Sequence, residues 1–410
     1  MKVCFETFGC RLNKAEALQM EAEYAAKGWE RTEKHSDADL FVVRGCSVTR
    51  RAQRDCEKLI AHLKRRYPLV PMRVCGCIET KKKSSATAAA KRNPVFDLDP
   101  SDCLDADGRP PIPVRTARAY LKVQDGCSGK CTFCIVPKFR GASVSTPFQE
   151  VMDKARRFID AGYREIVVTG CNLALYASEG KRLPDLVAAL SALTPANSES
   201  RTRIRLGSVE PGECALDCVH AMAEGANVCR FLHIPFQSGA NRILMAMKRP
   251  YLARDVSTLA QVAQKLMPGI RLGCDVMTGF PDESELDFAA TKGLVSRHQF
   301  SNVHVFPYSE RQGTPAASYG GAIPPRIRSE RAHELAEKGG DNRYAYARQF
   351  YGKILEIVVE GEDECYGRTD EYLWCKAVGN APRKSLVNVL VNKVHHDGSL
   401  EGIVRQPVRG

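Results

Sequence analysis

No apolar run in this 410-residue chain approaches the ~20 residues that a membrane-spanning helix needs. No basic and apolar leader opens it, so no export signal is expected. Collagen-like repetition and low-complexity tracts are missing too. With 44% hydrophobic and 26% charged residues, the composition is that of ordinary globular domains and excludes a disordered chain. These absences point to a soluble, cytoplasmic protein of two or three domains. They also bear on the 17 cysteines. In a small exported chain so many would mean disulfides, but this chain is long and the count is odd. Thiolates that bind metal, beside small buried hydrophobes, are the better reading.

Acids are the other shortage, and it is local. Between Arg44 and Arg92 fourteen Lys and Arg stand against Asp55, Glu57 and Glu79 alone, an excess of +11 within a net charge of +12. A segment this one-sided suggests a polyanion, most simply nucleic acid, over a merely solvated helix face.

Residues 1–105 alternate strand and helix. Strands are expected at Val3–Phe8, Leu40–Arg44 and Met72–Cys75, and helices at Lys14–Lys27 and Thr49–Tyr67. That order implies a parallel sheet. Each strand runs into a turn with a cysteine: Cys10, Cys46 and Cys77. Ligand sites lie outside the carboxyl ends of such strands, so these three thiols can converge. Asn93–Ala117 reads as a linker. Six further strands follow between 117 and 340, separated by helices, as in a partial (βα)6 barrel of parallel strands. Residues 345–410 turn to alternating, β-branched segments (KILEIVVE, EYLWCKAV, SLVNVLVNKV) and read as a small all-β barrel. Four bases, two histidines and no acid lie between Lys376 and His396, a wall of a kind that commonly holds RNA. The fold class expected is therefore α/β, with a small β module at its end.

The strongest motif is CSGKCTFC, which places Cys127, Cys131 and Cys134 on one short loop after the first barrel strand. Three thiolates so spaced can hold three corners of a cubic 4Fe–4S cluster. Zinc would want a fourth ligand, and none is obvious nearby. A cluster with one open iron can be chelated by S-adenosylmethionine, and Phe133 is suited to pack on its adenine. Glu210 and Gln237 follow strands of the central domain, where a barrel keeps its site, and are candidates to hydrogen-bond the same cofactor. Cys75 reads as a packed thiol, and His233 and His304 as core or pocket-wall residues. Cys214 and Cys218 have i,i+4 spacing that could bind metal, but burial is the simpler reading. No motif surrounds Cys4, Cys56, Cys103, Cys171, Cys229, Cys274, Cys365 or Cys375, which read as packed side chains.

Across nearly its whole length the chain resembles the radical S-adenosylmethionine methylthiotransferases. The resemblance rests on TFGCRLN (Thr7–Asn13), GCSVT (Gly45–Thr49), Gly76-Cys77, QDGCSGKCTFCIVPKFRG (Gln124–Gly141), TGCNLALY (Thr169–Tyr176), RLGSVEP (Arg205–Pro211), HIPFQSGAN (His233–Asn241), TGFPDE (Thr278–Glu283) and HVFPYSERQGTPAA (His304–Ala317). The tail with GRTDEYLWC resembles the RNA-gripping TRAM module of those enzymes.

The resemblance implies two 4Fe–4S clusters, one on Cys127, Cys131 and Cys134 that generates a radical from S-adenosylmethionine, and one on Cys10, Cys46 and Cys77 that carries sulfur. No side chain is implied as an acid or base. A methylthio group would replace an unreactive aromatic C–H, which acid–base chemistry cannot activate. TGCNLALY and its companions look like the branch acting on N6-threonylcarbamoyladenosine at position 37 of tRNA. The implied partners are tRNA, a reductase or flavodoxin-type electron donor and a sulfur donor, with neither membrane nor DNA. Arg44, Val144 and Asp282 depart from the family pattern, which usually has Asn, Arg and Gly there. Two alternatives remain open: methylthiolation of isopentenyl-adenosine 37 or of a ribosomal-protein aspartate, and a non-catalytic RNA-binding iron–sulfur or zinc protein.

Overall fold

A computed structural model describes residues 1–78, 109–194 and 201–405. It divides into two compact units: Met1–Arg115 with Cys134–Ala142 and Ser309–Gly313, and the remainder. Most of the expected linker, Cys103, and the bases from Lys81 to Arg92 lie outside the described residues.

The first unit is built on a four-stranded parallel sheet of order β2-β1-β3-β4. Its elements are β1 (Lys2–Thr7), α1 (Arg11–Ala26), β2 (Glu30–Arg31), β3 (Leu40–Cys46), α2 (Arg50–Arg66) and β4 (Met72–Cys77), followed by a short α3 (Val136–Arg140). Every residue of β3 is buried, as a central parallel strand covered on both faces must be. Phe5, Tyr24, Trp29, Leu40 and Val42 pack on one side, and Phe41, Val43, Cys56 and Leu63 on the other. Thr49 caps α2 by accepting from the Ala52 N–H.

The second unit begins with β5 (Ala119–Lys122) and the pair β6 (Gln124–Asp125) and β7 (Val144–Ser145). It continues through α4 (Phe148–Asp160), β8 (Glu165–Thr169), the hairpin β9 and β10 (Ala177–Ser178, Lys181–Arg182), α5 (Leu183–Ser191), β11 (Arg203–Leu206) and α6 (Glu213–Glu224). Then come β12 (Phe231–Gln237), α7 (Asn241–Ala246), α8 (Ala253–Leu266), β13 (Arg271–Thr278), α9 (Glu285–Arg297), β14 (Asn302–Pro307) and α10 (Pro325–Arg348). The parallel sheets β5-β8-β11 and β12-β13-β14 meet where Ser208 pairs with His233, giving the open six-stranded curve expected of a partial barrel.

Five final strands close a separate barrel of order β15-β16-β17-β19-β18: β15 (Ile354–Val359), β16 (Tyr366–Thr369), β17 (Trp374–Val378), β18 (Leu386–Val394) and β19 (Leu400–Arg405). Closure leaves no free strand edge. This module is bonded to the floor of the six-stranded core. At the amino ends of the core strands Arg203 and Arg205 are fully buried with Glu165, their Nε atoms 2.7 and 2.8 Å from its oxygens. Their outer nitrogens donate to the main-chain carbonyls of Arg368, Thr369 and Asp370, and Arg271 donates to that of Tyr372. Tyr372, held at φ +67°, stacks on Phe231 with ring centroids 5.0 Å apart. Much of the GRTDEY stretch is thus spent on docking the module.

Candidate functional site

In the first unit, Cys46 and Cys77 end β3 and β4 and sit opposite each other in the parallel register. Cys10 occupies the N-cap of α1, directly beyond β1. Glycines make the approach possible. A Cβ on Gly9, which has φ +96°, would stand 2.9 Å from Cys46 Cβ, and one on Gly76 (φ +93°) would stand 2.8 Å from the Gly45 carbonyl. Asn13 stitches the turns together, donating to the carbonyls of Phe8 (2.8 Å) and Gly45 (2.9 Å). Burial pushes the Cys46 thiol up, and Cys10 and Cys77 lie close enough to push it further.

A cation answers that cost at Cys77. Arg140 donates through Nε to Cys77 Sγ at 2.9 Å, and through its other nitrogens to Glu16 and to Asn13 Oδ1 (2.7 Å). Burial raises the Cys77 thiol while Arg140 lowers it. The set is chemically suited to a soft metal centre: three sulfurs at strand ends, a neutralising guanidinium, and glycine backbones that leave room. Arg44, where Asn is usual in the family pattern, is buried and paired with Glu16.

In the second unit, Cys127 and Cys131 flank Gly129, where a Cβ would stand 3.2 Å from Cys127 Sγ. The Gly129 N–H donates to that sulfur at 3.3 Å. Cys134, three residues further along the same loop, opens a segment that belongs with the first unit. Thr132 anchors the loop by bonding the carbonyls of Ala246 and Met247. Gln124 anchors its start: the side-chain amide donates to the carbonyls of Asp125 and Gly126 and accepts from the Asn172 N–H at 2.9 Å.

Arg249 is the central cation here. It donates to Cys131 Sγ (3.0 Å), Glu210 Oε1 (2.5 Å) and the Tyr251 hydroxyl (2.6 Å). Burial pushes the Cys131 thiol up and Arg249 draws it down. Glu210 accepts a second bond, from Asn172 Nδ2 at 3.0 Å. Gln237 ends β12 at φ +68°, its amide turned back to the Pro235 carbonyl. Phe133 packs beside Met247, Met277, Phe280 and Tyr308. Asn13, Glu16, Asn172, Arg140 and Arg249 carry no sequence signal of these roles, although Asn13, Arg140 and Asn172 stand inside the quoted motifs.

The remaining sequence expectations sort by burial. Cys75 packs against the core beside Arg44. Cys4, Cys56, Cys218, Cys229, Cys274, Cys365 and Cys375 are buried thiols, and Cys171 is half-buried against Asp125. The Cys214–Cys218 pair joins no group of three donor atoms among the described residues. His233 and His304 both bond Asp275, at 3.0 and 3.1 Å. Asp282, where glycine is usual, adopts φ +65° and pairs with Arg242. The left-handed backbone explains the usual glycine, and Asp is among the residues that tolerate it.

Two charge arguments change. Arg44 is withdrawn into the core, whereas Arg51, Arg54, Lys58, Lys64, Arg65 and Arg66 on α2 are exposed. On the β module, acids from other strands and turns meet the bases of the acid-free run: Glu364 pairs with Lys376, Glu362 with Arg383, and Glu401 with Lys393.

Residues 2–97 match an uncharacterised protein family, UPF0004, and residues 121–295 match the radical SAM superfamily. The chain is 30% identical to a threonylcarbamoyladenosine tRNA methylthiotransferase, MtaB, of Bacillus subtilis, covering 90% of this chain and 89% of that one. It is 29% identical to a tRNA-2-methylthio-N(6)-dimethylallyladenosine synthase of Acetivibrio thermocellus, over 95% and 87% of the two chains. Among solved structures, the radical S-adenosylmethionine methyltransferase TsrM from Kitasatospora setae aligns with a TM-score of 0.54 at 13% identity, over 77% of each chain. That likeness extends to the fold of the core.

Proposed function

Since the chain belongs to the radical S-adenosylmethionine methylthiotransferase family, we propose that it methylthiolates C2 of N6-threonylcarbamoyladenosine at position 37 of tRNA. The observation that carries this reading is the division of the sulfur donors. Cys10, Cys46 and Cys77 meet at the ends of parallel strands, Cys127, Cys131 and Cys134 share one loop, and each set has its own arginine. A structural metal site would be closed by four ligands. Two sets of three suit two centres that each keep one position open.

Each triad would hold a 4Fe–4S cluster, and with S-adenosylmethionine these groups supply the one-electron chemistry and the transferable sulfur that a C2–H replacement needs. The protein's part is placement. Gly129, Thr132 and Gln124 fix the loop that presents Cys127 and Cys131. Arg140 and Arg249 neutralise one thiolate in each set. Phe133, Glu210 and Gln237 would meet S-adenosylmethionine, Glu210 also orienting Arg249. The exposed bases of α2 would take the tRNA backbone, with the β module as a second hold.

The proposed division of labour is residues 1–105 for the sulfur-carrying cluster, 117–340 for the radical chemistry and 345–410 for RNA. Electrons would come from a flavodoxin-type reductase and sulfur from a separate donor, in the cytoplasm. Similarity to the Bacillus subtilis enzyme supports the threonylcarbamoyl branch. The test is mass spectrometry of tRNA nucleosides from cells with and without the gene. Loss of 2-methylthio-N6-threonylcarbamoyladenosine is expected. Loss of the isopentenyl derivative alone, or no change, would overturn the assignment.

A further inference from the structure

Asn13, Glu16 and Met20 follow one another along α1 at helical spacing and so share one face of it. Asn13 ties the cysteine-bearing turns together, and the other two receive a side chain from β3. That side chain is Arg44, two positions before Cys46 and in register with Cys75 on β4. Its main-chain carbonyl accepts from the Phe8 N–H at 2.8 Å, just ahead of Cys10. Its guanidinium reaches the helix. Nη2 pairs with Glu16 Oε2, and Nη1 donates to Met20 Sδ at 3.2 Å and Cys75 Sγ at 3.6 Å.

This is poor company for a buried charge. The Arg44 side chain is only 9% exposed, and two of its acceptors are the sulfurs of a thioether and a thiol. Its Nε has no hydrogen-bond partner among the described residues. The carboxylate it does reach is shared. Nη1 and Nη2 of Arg140 stand 3.0 Å from the two Glu16 oxygens, while Arg140 Nε donates to Cys77 Sγ. A guanidinium so weakly compensated costs stability against an apolar side chain of the same volume. Its effect on local charge is clear. Arg44, Glu16 and Arg140 sum to one positive charge beside a ligating sulfur, whereas Glu16 and Arg140 alone would cancel.

We propose that Arg44 sets the charge of this network and so raises the reduction potential of the cluster on Cys10, Cys46 and Cys77. The inference rests on the two-cluster reading above. An added electron makes an iron–sulfur centre more negative, so a net positive neighbour favours the reduced state. Arg44 acts through the shared carboxylate, which it leaves less able to neutralise Arg140, and through space. Buried charges are screened far less than exposed ones. One unit of charge in such a setting shifts a reduction equilibrium by about tenfold, or about 59 mV for one electron.

The test uses the full chain with Cys127, Cys131 and Cys134 changed to Ala, so that the iron present belongs to the first set. Reconstituted, this parent should hold about four irons. Its midpoint is read by redox titration with electron paramagnetic resonance. Arg44→Met and Arg44→Gln, both neutral and unbranched, should each lower the reduction equilibrium constant about tenfold at unchanged iron content. Arg44→Lys keeps the charge and should hold most of the parent's value. Midpoints that coincide in all four proteins would overturn the inference while leaving the cluster in place. A Lys variant that falls as far as the Met variant would also overturn it, marking Arg44 as a packing residue. So would variants that lose iron where the parent keeps it, since Arg44 would then serve assembly. A parent that binds no iron overturns the two-cluster reading and the inference together.

Discussion

Arg140 Nε stands 2.9 Å from Cys77 Sγ, and Glu16 holds the same guanidinium from its far side. Arg249 repeats the arrangement in the other unit, with Cys131 at 3.0 Å and Glu210 behind it. Each three-cysteine set therefore has one sulfur with a glutamate-positioned arginine. A cationic donor on a ligating sulfur favours the reduced, more negative state of an iron–sulfur centre.

Arg249→Met should accordingly lower the midpoint potential of the cluster on Cys127, Cys131 and Cys134, on the order of tens of millivolts for one lost charge-assisted bond. Redox titration followed by electron paramagnetic resonance reads this directly. Arg249→Lys should restore part of it. An unchanged potential would leave Arg249 as a packing residue.

Iron analysis tests the two cysteine sets separately. Reconstituted protein should carry about eight irons, four per cluster. Replacing Cys127, Cys131 and Cys134 together by Ala should halve that figure and abolish cleavage of S-adenosylmethionine. The triple change at Cys10, Cys46 and Cys77 should also halve it while sparing some cleavage. Full methylthiolation by the second variant would rule out sulfur carriage at that site.

Binding to tRNA should weaken steeply with salt, by about 0.7–0.9 log units per log unit for each phosphate contact. Arg65 and Arg66 are exposed in the last turn of α2. Changing both to Glu should reduce affinity and flatten the slope at unchanged iron content. The paired bases on the β module should contribute fewer contacts than their number suggests, because each must first part from its glutamate.

Stability should depend on the buried charges beneath the core. Arg205, Arg203 and Arg118 hold the Glu165 carboxyl well below its ordinary value of 4.5, overcoming the burial that would raise it. A depressed folded value gives stability that is complete above about pH 4.5 and is lost as pH falls from there toward the folded value. Glu165→Gln should cost about 3–5 kcal/mol at neutral pH by leaving buried guanidiniums unpaired. It should also flatten the acid limb of the melting temperature against pH. Tyr372→Ala, which empties the ring's place on Phe231, should cost about 2–4 kcal/mol. Deleting the chain from Gly352 onward should impair folding of the core itself. A truncated protein that melts like the full chain would contradict this.

The placement of Cys46 and Cys77 at strand ends, of Cys10 just beyond a strand, and of Cys127, Cys131 and Cys134 on one loop was legible, because strand ends and short motifs are local features. The strands were legible too, since fully buried parallel strands read as apolar runs, as Leu40–Val43 does. The partners of the cysteines were not. Arg140 reaches Cys77 across 63 positions and Arg249 reaches Cys131 across 118, and no periodicity links such pairs. Counting charge along the chain misled in two places. Arg44 turned inward to Glu16, and the acid-free run of the β module met acids supplied by other parts of the barrel. Burial and pairing are properties of the folded surface, and a linear sum contains neither.

The joint beneath the core has an evolutionary corollary. Arg203, Arg205 and Arg271 grip the GRTDEY turn through its carbonyl oxygens, which every amino acid possesses. Side chains along much of that turn can therefore drift without loosening the grip, while the three arginines below cannot. A β module grafted from a distant relative should seat on this core if its turn follows the same backbone path and keeps a ring at the place of Tyr372. One transplanted together with a different floor should not. Heritable change can thus accumulate on the outer wall of the small barrel at little risk to the core above.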